Sequence, residues 1–181
     1  MILVNNMGIY ELKDFEEISD EDWETMFIVN VMSGIRLSRY YLPRLLKKDW
    51  GRIVFISSES GIFIPQEMIH YGVSKAAQLA IARGMSELTV GTDITVNSVL
   101  PGPTWVEMQK VRLGKRAEKT AATVEYMKKH TLEDRRPTSL LQRYATSEEV
   151  ASMVAYVCSP ASSATNGAAL RVDGGIVRTP F

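Results

Sequence analysis

The chain has 181 residues, of which 45% are hydrophobic, enough for one compact domain around one core. Lysine plus arginine equals aspartate plus glutamate at 21 each, which removes any whole-chain electrostatic case for nucleic acid or an anionic membrane. No stretch approaches the ~20 consecutive apolar residues of a membrane span, and Met1 leads into Ile2-Leu3-Val4 with no basic export region, so the expected location is the cytoplasm.

Strand and helix signals alternate, which predicts a single α/β domain with a parallel sheet. Residues 2–5 read as a buried strand. Ser19-Asp20-Glu21-Asp22 then opens a long helical pattern through Trp23, Phe27, Val31, Ile35 and Leu42, bent late by Pro43, and this helix carries Asn30. Gly51-Arg52 reads as a turn, residues 53–57 as a second apolar strand, and residues 58–69 as a loop broken by Gly61 and Pro65. Tyr71 starts a helix whose face of Ala76, Leu79, Ala80 and Met85 keeps helical spacing until Gly91. A third strand over 94–100 ends at Pro101-Gly102-Pro103. Residues 104–143 read as a helical lid without a core stripe, and its basic run (Lys110, Arg112, Lys115, Arg116, Lys119) reads as a solvated face. Thr146-Ser147-Glu148-Glu149 resembles a capping box for a helix over 150–157. The lone Cys158 follows it as a small hydrophobe rather than a nucleophile, and 168–172 form a last strand before Asp173-Gly174-Gly175. No His/Cys/carboxylate cluster has ligand spacing, so no metal is expected.

The group that carries chemistry is Ser58, Tyr71 and Lys75. A tyrosine and a lysine four apart share one helix face, where an ammonium can favour the ionised phenol and make it a proton donor and acceptor near neutral pH. Ser58 ends a strand at its carboxyl end, where open α/β sheets place their ligand crevices, and its hydroxyl could bond a substrate carbonyl oxygen. Glu59 and Ser60 could touch substrate from the same loop, whereas His70 reads as incidental to the neighbouring motif.

Such a tyrosine-lysine pair is common by chance, and its company is what matters. Asn5-Asn6-Met7-Gly8, the helical Asn30, Ile56-Ser57-Ser58-Glu59-Ser60-Gly61, Tyr71-x-x-x-Lys75, Asn97 through Pro101-Gly102, and Gly167 through Asp173-Gly174-Gly175 occur in this order. Together they resemble the short-chain dehydrogenase/reductase family across nearly the whole chain. The resemblance implies a partial Rossmann-like, doubly wound parallel sheet and a hydride transfer between NAD or NADP and a small carbonyl or alcohol substrate. It implies Tyr71 as general acid and base, Lys75 on the nicotinamide ribose and lowering the Tyr71 pKa, Ser58 orienting the substrate oxygen, and Asn30 holding a relay water. Asn6 and Gly8 would touch the cofactor, Pro101 and Gly102 would flank the nicotinamide, and Thr104 would lie near its carboxamide. A homo-oligomer, tetramer or dimer, is implied as well.

Three departures accompany it. Met7 stands where the family has alanine, and Val106 where a threonine commonly follows the Pro-Gly turn. The family's glycine-rich turn over the pyrophosphate is not in this sequence, so the chain is expected to be the catalytic part of a longer domain, with its first strand left as an open edge. The alternative from another class is an inactive remnant acting as an association module through its long helices.

Overall fold

The structure, a computed structural model, describes residues 1–180. Its centre is a four-stranded parallel sheet in the order β1 (Ile2–Asn5), β2 (Gly51–Ile56), β3 (Ile94–Pro101), β4 (Ala169–Val172). Helices occupy the crossovers, as parallel strands require. They are α1 (Asp20–Phe27), α2 (Ser33–Leu45), α3 (Ile69–Ser86), α4 (Glu107–Lys119), α5 (Val124–Arg135) and α6 (Ser147–Cys158). The expected parallel α/β architecture is present. The chain closes one core around Leu42, Leu45, Ile53, Phe55, Ala82, Ile94 and Val96, and a second against α6 around Val54, Val99 and Val157. These two clusters lie on opposite faces, because Ile53 and Phe55 alternate with Val54 along β2.

Several expectations need correction. β1 is not buried: Ile2 and Val4 are exposed, because among the described residues this strand pairs only with β2 and ends the sheet. The strand is an open edge of the sheet among the described residues. Gly51 and Arg52 are not a turn but the first residues of β2, opposite Ile94 and Thr95. A side chain at Gly51 would overlap the Leu45 methyl group, its Cβ falling 2.2 Å away, so the glycine is needed for strand against helix and not for chain reversal. The long first helix is interrupted by a π-helical turn at Ile28–Met32, and Pro43 sits within α2, which ends two residues later. The lid has a core of its own, with Leu113 and Ala117 of α4 packed on Met127 and Leu132 of α5 and on Tyr144, and with Trp105 against them.

Capping follows the sequence closely. Ser19 caps α1 and Asp22 returns the bond; Thr146 and Glu149 do the same for α6. In α3 the apolar stripe is displaced. Ala80 is exposed, while Ser74, Lys75 and Gln78 are buried, so this helix turns a polar face inward. Cys158 is half-buried at the end of α6, where burial pushes its thiol up.

Candidate active site

The polar face of α3 meets the carboxyl ends of β1 and β2. Two glycines allow this. A Cβ at Gly61 would lie 3.0 to 3.1 Å from the backbone of Lys75 and Ala76, and one at Gly72 would lie 2.9 Å from the Ser60 carbonyl oxygen and 2.6 Å from Ile64. The loop after β2 therefore lies directly on the helix. Ser57 Oγ donates to the Lys75 carbonyl oxygen at 2.8 Å, tying strand end to helix. Ser58 and Tyr71 then line one cavity of about 220 Å³ with Tyr10, Thr104, Gln109 and Tyr144.

Lys75 is buried, and its Nζ donates to the Ile56 carbonyl oxygen at 2.9 Å and to Gln78 Oε1 at 3.2 Å. It stands 5.7 Å from the centroid of the Tyr71 ring. Burial lowers its pKa from 10.5 to about 8. The Tyr71 phenol moves the other way. Burial raises it to about 12, against the pull of its hydrogen bond with Ser58. The depressed phenol pKa expected from the lysine spacing is not found, because desolvation of the phenolate outweighs the Ser58 hydrogen bond and the Arg136 charge.

Asn30 lies in the π turn, a deviation that recurs at functional sites. Its side chain locks the loop after β1 in both directions: Oδ1 accepts from the Ile9 N–H at 2.7 Å, and Nδ2 donates to the Ile9 carbonyl at 2.9 Å and to Ser74 Oγ at 2.9 Å. Its carbonyl oxygen accepts from Gln78 Nε2, so a side-chain amide links Asn30 to Lys75. Sequence reasoning missed Gln78; three residues after the lysine it shares the lysine's helix face, which was the available signal.

The remaining expected residues divide. Gly8 faces Lys75, since a Cβ there would lie 3.3 Å from Nζ. Asn6 is exposed at the end of β1. Pro101 closes β3 opposite Val172, and Gly102 packs against Asp173, where a Cβ would come within 2.8 Å of backbone. Thr104 Oγ1 donates to the Gly102 carbonyl at 3.0 Å and lines the cavity. Val106 is the N-cap residue of α4 and makes no side-chain capping bond. Glu59 and Ser60 are buried and hydrogen-bonded to each other, and Glu59 Oε1 receives Arg136 Nε at 2.7 Å. This ion pair draws the end of the lid onto the Ser58 loop and was not visible in the sequence. His70 lies away from the cavity. It is fully buried against Trp23, with both ring nitrogens unpartnered and its pKa lowered by burial. Among the described residues no group of three or more His, Cys, Asp or Glu could hold a metal ion, and no helix is long and apolar enough to cross a membrane.

Residues 1–177 match the family model described as Enoyl-(Acyl carrier protein) reductase. The uncharacterized oxidoreductase YvrD of Bacillus subtilis is 48% identical over 178 residues, covering 98% of this chain and 68% of its own. The uncharacterized oxidoreductase YvaG of the same organism is 46% identical over 180 residues, with 99% and 68% covered. Among solved structures, L-sorbose reductase from Gluconobacter frateurii complexed with NADPH and L-sorbose superposes with a TM-score of 0.91 at 24% identity, over 98% of this chain and 66% of that one. The chain spans about two thirds of the length of these relatives.

Proposed function

Because the chain belongs to the short-chain dehydrogenase/reductase family, we propose that it serves an oxidoreductase that moves a hydride between NAD or NADP and a small carbonyl or secondary alcohol, with Tyr71 as acid and base. The observation that carries this reading is the single cavity in which Ser58 and Tyr71 stand together with the Lys75 ammonium behind the Tyr71 ring. The residues fit the nicotinamide end of such a cofactor. Lys75 has three protons and two acceptors, which leaves one donor for a ribose hydroxyl, and Gly8 offers bare backbone beside it. Asn6, Pro101, Gly102 and Thr104 would complete that end.

When bound, the nicotinamide supplies or accepts the hydride. The protein's own part is orientation and proton transfer. With a pKa of about 12 the Tyr71 phenol keeps its proton at neutral pH, so the resting chain presents the acid needed to protonate a carbonyl oxygen during reduction. Ser58, fixed in extended conformation with its Oγ already accepting from the Ser60 N–H, would hold that oxygen. Lys75 carries its charge below about pH 8, where it would favour the phenolate left after transfer. The amide of Gln78 holds the ammonium in place against Asn30, which would stand at the start of the proton's return. Assembly into a dimer or tetramer through α2 and α3 belongs to the same proposal.

The test is calorimetric titration of the chain with NADH and NADPH, followed by turnover of an active form and of its Tyr71→Phe variant. The expected result is nucleotide binding unaffected by Tyr71→Phe and turnover reduced by more than ~100-fold. Near-normal turnover in the variant would overturn the assignment.

A further inference from the structure

The cavity that holds Tyr71 and Ser58 is also lined by Arg112, Arg135 and Arg136. Two of these cations are answered. Arg136 is buried against Glu59 at 2.7 Å, and Arg135 lies 3.8 Å from Glu67 Oε1. Among the described residues Arg112 has no carboxylate at ion-pair distance, although Lys110, Lys128 and Lys129 of the same lid each pair with a glutamate on their own helix. Arg112 lies instead over Tyr10, its guanidinium 6.0 Å from the ring centroid, and the Tyr10 ring stands edge-on to Tyr71 at 6.0 Å. Tyr10 thus bridges the unpaired cation to the proton donor. The positive field reaches across the cavity: the Tyr144 phenol, raised by burial, is pulled back by Arg112, Arg135 and Arg136 together.

Three more lining atoms lack a hydrogen bond: Glu67 Oε1, which faces Arg135 and Arg136 at 3.8 Å, Gln109 Oε1 and Thr131 Oγ1. Gln109 and Thr131 are buried in this way at ~1–3 kcal/mol for each such group. A ligand hydroxyl would satisfy either. The cavity volume of about 220 Å³ lies below the ~300–1,000 Å³ of drug-sized sites, which limits the occupant to a small molecule.

We propose that the substrate is a small hydroxylated carbonyl compound bearing a carboxylate, with the carboxylate on Arg112, hydroxyls on Gln109 and Thr131, and the reacting oxygen at Tyr71 and Ser58. This rests on the oxidoreductase reading of the site. In reduction the carbonyl carbon gains a hydride from a reduced nicotinamide, which is left oxidised, while the oxygen gains the phenolic proton of Tyr71, which solvent replaces.

The test is binding of three probes to the chain by saturation-transfer NMR: 5-keto-D-gluconate, whose ketone stands four carbons from its carboxylate, the neutral D-fructose, and 5-oxohexanoate, which lacks the hydroxyls. The half-buried, charge-assisted pair predicts that 5-keto-D-gluconate binds roughly tenfold more tightly than D-fructose, and the hydroxyl contacts predict a similar margin over 5-oxohexanoate. In Arg112→Gln the preference over D-fructose should fall to about threefold or less, while Arg112→Lys should keep part of it because the charge remains. Equal binding of D-fructose, or a preference indifferent to Arg112→Gln, overturns the carboxylate assignment; equal binding of 5-oxohexanoate overturns the hydroxyl contacts; binding of none overturns the whole inference. Turnover separates this from the parent reading. Reduction of neutral and anionic ketones at equal rates with NADPH would sink the substrate class and leave the oxidoreductase standing. Selective binding of the anion by a form that never oxidises NADPH would do the reverse.

Discussion

Replacing Lys75 with methionine should make the chain more stable at neutral pH while removing its proposed chemistry. Lys75 is only 5% exposed, and burial takes its pKa from 10.5 to about 8. At 1.36 kcal/mol per unit, holding that ammonium in the fold costs ~3 kcal/mol. Below pH 8 the folded and unfolded lysine both carry the proton, and the folded state bears the whole penalty. Between pH 8 and 10.5 the unfolded lysine keeps a proton that the folded one has released. The unfolded state then binds more protons, and wild-type stability rises with pH through that window. Lys75→Met is free of this dependence but leaves the Ile56 carbonyl and Gln78 Oε1 without their donor, at ~1 kcal/mol each. The variant should therefore be ~1 kcal/mol more stable than wild type at pH 7 and less stable by a similar amount at pH 10. Urea unfolding of both proteins at the two pH values, followed by tryptophan fluorescence, measures the crossing. A difference that stays constant within about 1 kcal/mol between pH 7 and 10 would refute the view that desolvation dominates at Lys75.

In an active form, turnover should fall as pH rises through about 8, where Lys75 loses the charge that supports the phenolate; a pH-rate profile flat to pH 9.5 would contradict this. Arg136→Met should cost ~3–5 kcal/mol by stranding the buried Glu59 carboxylate, and the double variant with Glu59→Leu should recover most of it; a double variant as unstable as the single one would argue against the pair. Two glycines of α3 should respond oppositely to alanine. Gly84→Ala, with nothing within 4 Å, should stabilise by up to ~1 kcal/mol, whereas Gly72→Ala should destabilise by ~1–3 kcal/mol as its Cβ meets Ile64 and the Ser60 carbonyl, and thermal melts that moved together would count against the close loop contact.

The parallel α/β pattern was legible because each strand is a short apolar run followed by its own turn chemistry, and because both helix starts at Ser19 and Thr146 announce themselves within four residues. Gly51 was misread because glycine has two uses that local pattern cannot separate: permitting a turn and admitting a neighbour. Only the position of Leu45 in space decides between them. The lid core was missed for a related reason, since Leu113, Ala117, Met127, Leu132 and Tyr144 come from two helices and a loop, and neither helix alone shows a full stripe.

The site divides along the same line. Tyr71, Lys75 and Gln78 lie within two turns of α3, so their proximity follows from helical geometry alone, and the first two were readable while the third was overlooked. Arg136 reaches Glu59 across 77 residues of sequence, and Arg112 shares the cavity with Tyr71 from a helix whose charges look uniformly solvated in the sequence. Arg112 is singled out by place and pairing together: it lines the cavity that holds Tyr71 and has no carboxylate at ion-pair distance among the described residues. The proposed division between α3 machinery and a lid-built specificity surface would also explain why the family was easier to read than the substrate. On the proposed reading the proton chemistry depends on spacing within one helix, whereas selection depends on where α4 and α5 place side chains relative to it, which only the folded chain specifies.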